Sequence, residues 1–506
     1  MYDLLIQNAL ILDGTGTEAY QADLGIENGK IAKIAPGLSD GKQVIDASGL
    51  TVSPGFIDSH SHSDRGILSF PDQKEKVEQG ITVSIVGQCG GSIAPAVQPD
   101  GRLQTLSDFM KLADATPQGS GAAILVGFNS LRRAILGTER RVPTPDELEK
   151  MKALLRESME AGAIGMSLGL LYVPGCYAKT DEVIEMAKVV GEYGGLLASH
   201  LRDEGDFLLE SVQEFLQIIR ASGCRGVFSH HKAIMRWNWG KVKDSLAMID
   251  AANQSGLDVY LDVYPYCASS TTLAARYVPP EFHPEGTTSV PALLDDPEIY
   301  DRVKKWGQQR FQNDLSWTMV NSCPMYREYE GMNLNEIADL RGDQDRMDTA
   351  LHLIRETDGV CSASFFMMCE EDLADVIAHP RSMPCTDSPS AGKSTCYHPR
   401  LRASFPRMLG RYAREKGVVT LPEMIRKMTS LPAHVYGLSG KGKIAEGMDA
   451  DLCIFNADTI IDRADFIHFS LPNEGLQYVI IDGKIVLEDG KYNGNRAAKV
   501  IRRTAK

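Results

Sequence analysis

Two histidines that lie close together are the first residues whose types could do chemistry. His60 and His62 end the apolar run that begins at Pro54. In a β-strand, side chains two positions apart project from the same side, so these two imidazoles would point the same way. Imidazole suits zinc and similar first-row ions, and such a site normally needs three or four protein ligands. The spacing therefore predicts further metal ligands elsewhere in the chain.

Four more residues of metal-ligand type lie at the ends of later apolar runs, namely Cys89, His200, His230 and Asp387. Each alone has an ordinary structural interpretation, because a buried Cys usually packs as a small hydrophobe and a strand-end His or Asp usually forms a hydrogen bond. Six such residues, in a chain with only 11 histidines, are better explained together. We therefore predict one metal site to which all six contribute.

These residues need a fold that brings remote strand ends together. The central part of the chain alternates short apolar runs with amphipathic helical stretches, a pattern typical of parallel βα units. One such helix opens with the capping box Thr144-Pro-Asp-Glu147. Eight units of this kind predict an α/β fold, a (β/α)8 TIM-like barrel, with its functional residues at the carboxyl ends of the strands. The predicted strands are the run into His60 and residues 82–89, 122–129, 163–170, 195–201, 226–232, 258–266 and 381–387.

The two ends of the chain differ from this central region. Residues 1–53 and 436–506 contain short apolar runs separated by turn signals such as Asn28-Gly29 and Asp482-Gly483. We predict that they form one small β-sandwich domain built from both termini, and that residues 54–435 form the barrel. The interval 276–359 is too long for a loop. It is predicted to be an insertion before the last barrel strand, either a wall of the site or a packing decoration.

The bulk composition limits the possible functions. The net charge of −14 argues against binding to nucleic acid, which requires a basic surface. The 10 cysteines are scattered without short paired spacings, as expected in a reducing compartment. The N-terminus has an early acidic residue, and no apolar stretch reaches the roughly 18 residues of a membrane span. We expect a cytoplasmic protein without membrane association, and the sequence leaves its oligomeric state open.

Several motifs along the chain resemble those of one family. They are Pro54-Gly-Phe-Ile-Asp-Ser-His-Ser-His62, Ser167-Leu-Gly-Leu-Leu-Tyr-Val-Pro-Gly175, Ala198-Ser-His-Leu-Arg-Asp-Glu-Gly205, Ser229-His-His-Lys232, Asp262-Val-Tyr-Pro-Tyr266, His398-Pro-Arg400 and Glu446-Gly-Met-Asp-Ala-Asp451. Through them the chain resembles, over nearly its whole length, the D-aminoacylase (N-acyl-D-amino-acid deacylase) family of the amidohydrolase superfamily. The resemblance implies a zinc enzyme that combines a (β/α)8 barrel with a small β-domain.

The resemblance also implies a division of the metal ligands. Cys89, His200 and His230 would hold one tight zinc ion, while His60, His62 and Asp387 would surround a second site that is weaker or empty. In this family a Cys replaces the carboxylated Lys of related hydrolases. That substitution agrees with the absence of Lys from the predicted strand at residues 163–170.

Further roles follow from the same resemblance. Asp387 would take a proton from the attacking water and pass it to the leaving nitrogen. Tyr172 would donate a hydrogen bond to the developing oxyanion. The residues that match the family's positions for the substrate α-carboxylate are Lys232, Tyr264, Ser270 and Arg400. Lys232 also follows His230 by two residues, so on a strand it would point to the same side.

The main hypothesis is zinc-dependent hydrolysis of the amide bond of N-acyl-D-amino acids to a D-amino acid and a carboxylate. One alternative is a cyclic-amide hydrolase of the hydantoinase or dihydroorotase type, which commonly uses a carboxylated Lys between two metals. Another is a dipeptidase for C-terminal D-residues, since the same carboxylate holder would accept its substrates. A non-catalytic barrel that binds a small molecule or a partner chain is disfavoured, because all six candidate ligands are present.

Overall fold

The centre of the molecule is a sheet of parallel strands in the order expected for a barrel. The computed structural model describes residues 1–282, 289–390 and 398–503. Each barrel strand pairs in parallel with the next along the chain, from the first to the eighth. The first and eighth strands meet at their carboxyl ends, where Ser61–His62 and Ser388–Pro389 form a short parallel pair. The eight strands are Phe56–Asp58, Ile81–Val86, Gly121–Gly127, Gly165–Gly169, Leu196–His200, Arg225–Phe228, Val259–Val263 and Ser382–Pro384.

These strands confirm the predicted (β/α)8 fold, but they are shorter than the apolar runs that predicted them. Barrel strand three, Gly121–Gly127, is buried at every position, as expected for a parallel strand covered on both faces. Barrel strand six ends at Phe228, before the residues of the predicted site. The final residues of several predicted strands therefore belong to the loops at the mouth of the barrel.

Helices cover the outside of the barrel. The capping box at Thr144 is present, and the helix that it opens spans Pro145–Glu160. The helices up to barrel strand seven are Gly66–Ser69, Lys74–Val77, Leu106–Asp114, Phe128–Leu136, Pro145–Glu160, Thr180–Glu192, Leu208–Ser222 and Lys241–Gln254. Those beside and after barrel strand eight are Glu370–Ala378, Arg400–Arg407, the π-helix Met408–Glu415, Leu421–Met428 and Ser430–Tyr436. No helix in the described ranges combines the length and apolar character needed to cross a membrane.

Both ends of the chain contribute to a second, separate sheet, as predicted. Its strands are Tyr2–Ile11, Tyr20–Glu27, Lys30–Ala35, Gly41–Asp46, Thr51–Pro54, Leu452–Phe455, Leu476–Ile481, Lys484–Glu488 and Lys491–Tyr492. Asn28-Gly29 and Asp482-Gly483 form the predicted hairpin turns, with positive φ at all four residues. The chain end returns to the barrel, because Val500–Ile501 pairs with barrel strand three. Residues 504–506 of the predicted domain lie outside the described residues.

The segment between barrel strands seven and eight forms an added layer with its own apolar core. A three-stranded antiparallel sheet of Ser269–Thr272, Ser362–Phe365 and Thr318–Ser322 lies at its base. Its helices are Leu273–Tyr277, Val290–Leu293, Pro297–Phe311, Leu334–Arg341 and Arg346–Glu356. Residues 283–288 of the predicted insertion lie outside the described residues. The layer places the strand that contains Ser270 beside the mouth of the barrel.

A buried ion pair closes the seam between the first and last barrel strands. Lys76 is fully buried, and its Nζ lies 3.0 Å from the Asp58 carboxylate. The same ammonium donates to the hydroxyls of Thr386, at 2.7 Å, and Ser388, at 3.0 Å. Asp58 also accepts from the Thr386 backbone N–H at 2.8 Å. The pair therefore ties barrel strand one to the loop that contains Asp387.

Replacing Lys76 with Met leaves the Asp58 carboxylate buried without its cation. We expect the free energy of unfolding to fall by about 3–5 kcal/mol, measured by chemical denaturation. The matched control Lys305→Met removes an exposed pair with Asp301, worth at most about 1 kcal/mol. Equal losses in the two variants would show that the buried pair does not secure the seam.

Candidate metal centre

The structure brings all six predicted ligands together at the carboxyl end of the barrel. The Cys89 Sγ lies 3.4 Å from His60 Nε2, 3.6 Å from His200 Nδ1 and 3.3 Å from His230 Nε2. The Asp387 carboxylate lies 3.1 Å from His62 Nε2 and 3.6 Å from His60 Nε2. Six residues from five parts of the sequence therefore converge: His60, His200 and His230 surround the Cys89 sulfur, and His62 and Asp387 lie beside them.

The backbone reaches this arrangement by sharp turns after the strands. Of the six residues, only His200 lies within its barrel strand, Leu196–His200. Cys89, His230 and Asp387 have φ angles of +51°, +36° and +47°, in the left-handed region that residues with a Cβ rarely adopt. Such conformations are typical of functional sites, where the surrounding structure stabilises them.

The predicted strand placement of His60 and His62 is wrong in detail. Barrel strand one ends at Asp58, and His62 lies on the short strand Ser61–His62 instead. The two rings still meet, with their centroids 5.3 Å apart. A turn, rather than the alternation of one continuous strand, brings the two imidazoles to the same side.

The donor set fits a zinc ion. One thiolate with several imidazoles is a typical zinc ligand set. Burial opposes ionisation of the Cys89 thiol, but the adjacent His60 and His230 rings hold its pKa well below its usual value. His200 Nδ1 and His230 Nε2 lie only 2.9 Å apart. The donor atoms of Cys89, His200 and His230 all lie within 4.8 Å of one another, close enough to hold one metal ion.

Two buried carboxylates that sequence reasoning missed support the ligand histidines. The Glu204 carboxylate lies 2.9 Å from His230 Nδ1 and 3.8 Å from His200 Nε2. Asp262 accepts from the His230 backbone N–H at 2.6 Å and lies 3.4 Å from His60 Nδ1. Carboxylates on the second ring nitrogen fix the orientation and tautomer of a ligating histidine. Both residues belong to motifs in the sequence, but only the fold shows which rings they contact.

Lys232 contacts the predicted metal ligand His230, but it does not lie on the strand that the sequence predicted. Barrel strand six ends at Phe228, so the argument from strand alternation is wrong for this residue. Its Nζ lies 2.6 Å from Glu204 and 2.6 Å from His230 Nδ1. The Lys232 ammonium therefore forms an ion pair with the buried Glu204 carboxylate. Burial would raise the pKa of Glu204, but Lys232 holds it well below its usual range.

Asp387 is paired in a similar way. Arg400 Nη1 donates to Asp387 Oδ2 at 2.6 Å, and both side chains are about nine-tenths buried. Burial would raise the pKa of Asp387, but Arg400 and the neighbouring histidines hold it well below its usual range. The carboxylate is therefore ionised at neutral pH.

A cavity of about 200 Å³ opens beside the metal ligands, and the other predicted residues line it. The ring of Tyr172 packs on His200 at 4.7 Å, and burial raises the pKa of its hydroxyl. Tyr264 lies beneath the Arg400 guanidinium at 5.1 Å. Ser270 Oγ accepts from the Asn321 side-chain amide at 3.0 Å, which fixes it to the added layer. Apart from His60, which lies behind Cys89 and Asp387, every residue predicted for the site lines this cavity.

Arg276 is a further cation in this cavity that the sequence did not indicate. It lies on the short helix Leu273–Tyr277 of the added layer, and its guanidinium lies over the Phe365 ring at 5.5 Å. Within the described residues its buried Nε has no hydrogen-bond partner, and the side chain forms no ion pair. The cavity therefore contains two cations that are matched by carboxylates and one that is not.

A model of the amidohydrolase family matches residues 43–487. The chain is 34% identical to D-aminoacylase of Alcaligenes xylosoxydans xylosoxydans over 100% of its own length and 98% of that protein. The chain belongs to the D-aminoacylase branch of the amidohydrolase family. This amidohydrolase is also 35% identical to the N-acyl-D-glutamate deacylase of the same organism, covering 99% and 97% of the two chains.

A solved structure is similar over the whole length of the amidohydrolase. It is the N-acyl-D-glutamate deacylase of Bordetella bronchiseptica, solved with zinc and a phosphonate inhibitor that mimics the tetrahedral reaction intermediate. The TM-score is 0.85 at 33% identity, with 99% of each chain covered. The two proteins therefore share the barrel, the added layer and the terminal sheet as one arrangement.

Cys89→Ala in this amidohydrolase removes the one donor that contacts His60, His200 and His230 together. We expect the variant to lose at least about 90% of its bound divalent metal at limiting metal concentration, measured by elemental analysis. Cys224→Ala is the matched control, because Cys224 is buried far from the site against the Ala187 carbonyl. Full metal occupancy in the Cys89 variant would show that the thiol is not a ligand.

Proposed function

We propose that this amidohydrolase hydrolyses the amide bond of N-acyl-D-amino acids, releasing a D-amino acid and a carboxylate, with zinc as its metal. The observation that carries the proposal is the convergence of Cys89, His200 and His230 beside Asp387, in a cavity that is also lined by Lys232, Arg276 and Arg400. The full-length similarity to D-aminoacylase and to a zinc-containing N-acyl-D-glutamate deacylase supports the same reaction. The substrate, an anion with a neutral amide, suits this cavity.

We assign the tight zinc site to Cys89, His200 and His230, and a second, weaker site to His60, His62 and Asp387. The first set contains the Cys89 sulfur and two imidazole nitrogens, of His200 and His230, that lie 2.9 Å apart, 3.6 Å and 3.3 Å from that sulfur. In the second set Asp387 is neutralised by Arg400, which weakens its attraction for a second cation. A bound zinc ion polarises the scissile carbonyl and lowers the pKa of water to about 7.

Asp387 moves the proton in the proposed reaction. Because Arg400 keeps it ionised, the carboxylate is able to take a proton from the water as the water oxygen attacks the carbonyl carbon. The new C–O bond forms, and the C–N bond breaks as Asp387 passes this proton to the leaving nitrogen. The same carboxylate thus acts first as base and then as acid, and it ends the cycle ionised.

Tyr172 stabilises the negative charge that develops on the carbonyl oxygen. Its pKa is raised by burial and by the nearby negative charge of Cys89. The hydroxyl therefore stays protonated and remains a donor at neutral pH. A donor held in place beside developing charge contributes more in a desolvated site than it would in water.

Lys232, Tyr264, Ser270 and Arg400 receive the α-carboxylate. Lys232 and Arg400 each contact a carboxylate of the protein, so neither is an isolated buried cation in the free enzyme. Both also attract the carboxylate of the substrate. Tyr264 and Ser270 add neutral hydroxyl groups on the same wall. Binding of the α-carboxylate by these residues fixes the orientation in which the amide bond reaches the metal.

Arg276 gives the enzyme a preference for acidic D-amino acids. The α-carboxylate is met by the paired cations, so the unmatched guanidinium remains for a second carboxylate on the substrate side chain. Two of the similar proteins are N-acyl-D-glutamate deacylases, which agrees with such a substrate. A carboxylate pairs well with a guanidinium, since two parallel hydrogen bonds form.

Cyclic amides are poorer candidates for this site. Barrel strand four, Gly165–Gly169, contains no Lys to be carboxylated, and the position between the ligands is occupied by the Cys89 sulfur. A cyclic amide without a free carboxylate would also leave the cations that line the cavity without a partner on the substrate. A linear substrate with a free carboxylate uses the cations that line the cavity.

The reaction is tested with racemic N-acetylglutamate and zinc-loaded enzyme. We expect release of D-glutamate only, and we expect Asp387→Asn to retain zinc at the tight site while turnover falls by about 10²–10⁴-fold, because the proton route is lost. Chiral chromatography measures the product, and elemental analysis measures the metal. Release of L-glutamate at a comparable rate would exclude the stereochemical assignment, and near-normal turnover of the Asp387 variant would exclude the proton route.

Arg276→Met tests the source of the acidic preference. We expect kcat/KM for N-acetyl-D-glutamate to fall at least about tenfold, since a charge-assisted pair is lost, while kcat/KM for N-acetyl-D-methionine changes little. Arg276→Lys is the matched variant and should retain part of the preference. An equal fall for both substrates would mean that Arg276 binds the α-carboxylate, which both contain.

A further inference from the structure

A second cleft adjoins the metal site at His62, and none of the residues proposed to bind the α-carboxylate line it. Its volume is about 640 Å³, and it is bounded by the loop that follows Cys89 and by the helix Phe128–Leu136. His62 lines this cleft and also lines the catalytic cavity. No other residue is common to the two sets of lining residues, so the ring of His62 marks the boundary between them.

The geometry of the substrate indicates what occupies this cleft. A secondary amide is planar and trans, so its acyl group and its amino-acid carbon leave the C–N bond in opposite directions. The proposed function places the amino-acid portion among Lys232, Arg276 and Arg400. The acyl group then extends from the metal centre past His62, into a cleft that is much larger than an acetyl group requires.

The cleft is positively charged. Arg65 and Arg133 line it, and neither forms an ion pair within the residues that the structure describes. Arg133 donates one hydrogen bond to the Val173 carbonyl at 2.9 Å. Among the described residues that line the cleft, Asp64 is the only acidic one, against two arginines. Desolvation and the proximity of Arg65 lower the pKa of Arg133, as expected for two cations facing a shared space.

We propose that this cleft binds the acyl portion of the substrate and selects acyl groups that end in a carboxylate, such as succinyl or glutaryl, through Arg65 and Arg133. The inference rests on the proposed function and adds the second half of the substrate to it. An acyl carboxylate would pair with the two guanidinium groups, neither of which forms an ion pair within residues 1–282, 289–390 and 398–503.

The same charges disfavour unblocked dipeptides. A dipeptide with a C-terminal D-residue fits the carboxylate holder, but its protonated amine would enter the positively charged cleft. Like charges repel, so this amine would weaken binding. The cleft therefore separates N-acyl substrates from dipeptides, although both contain the same scissile bond.

The test compares three N-acyl derivatives of D-glutamate with zinc-loaded enzyme: N-acetyl, N-succinyl and the succinyl methyl ester, a neutral analogue of almost the same shape. We expect kcat/KM for the succinyl compound to exceed that for its ester about tenfold. In the double variant Arg65→Met, Arg133→Met this ratio should fall to about one. Because both rates come from the same variant, the ratio cancels any general loss of activity or folding.

Arg102→Met is the matched control, since Arg102 is near the cleft in sequence, is 78% exposed in its side chain and does not line the cleft. It should keep the full preference for succinyl over ester. A ratio of one in the unmodified enzyme, or hydrolysis of glycyl-D-glutamate as fast as the succinyl compound, would overturn the inference. Failure to hydrolyse any N-acyl-D-amino acid would instead overturn the proposed function.

Discussion

The site depends on one partly buried cysteine sulfur, that of Cys89. Cys89 is surrounded by the rings of His60, His200 and His230. Burial raises the pKa of its thiol, but the charges of His60 and His230 and a hydrogen bond with His200 hold that pKa well below its usual value. A thiolate and two imidazoles cannot remain close together at low cost unless a proton or a metal ion lies between them. The left-handed backbone at Cys89 and His230 brings the donors to this point, and the barrel keeps their strands in register.

Two ion pairs beside the metal site determine how the remaining charges act. Lys232 is matched by Glu204, and Arg400 is matched by Asp387, so each cation is stabilised without substrate. Buried pairs of this kind contribute little net stability, because desolvation offsets most of their attraction. Their effect is on chemistry instead, since they orient His230 and keep Asp387 ionised. Arg276 forms no such ion pair among the described residues, and for this reason we propose that it binds a carboxylate on the substrate side chain.

The sequence predicted the barrel and the six ligand-type residues because parallel strands read as apolar runs, and the ligands follow those runs directly. It did not predict where the strands end, since that depends on backbone turns at Asp58 and Phe228 that periodicity does not reveal. The sequence assigned no role to Glu204, although it lies in one of the motifs. Its contacts with the rings of His200 and His230 are visible only in the folded structure. Arg276 gave no signal, since only the added layer positions it.

The central claim is that Cys89, His200 and His230 hold one zinc ion. X-ray absorption at the zinc edge, on protein loaded with one equivalent of zinc, tests it most directly. A single sulfur at about 2.3 Å with nitrogen ligands at about 2.0–2.1 Å is the result that the structure predicts. A coordination sphere of nitrogen and oxygen alone, without sulfur, would contradict it.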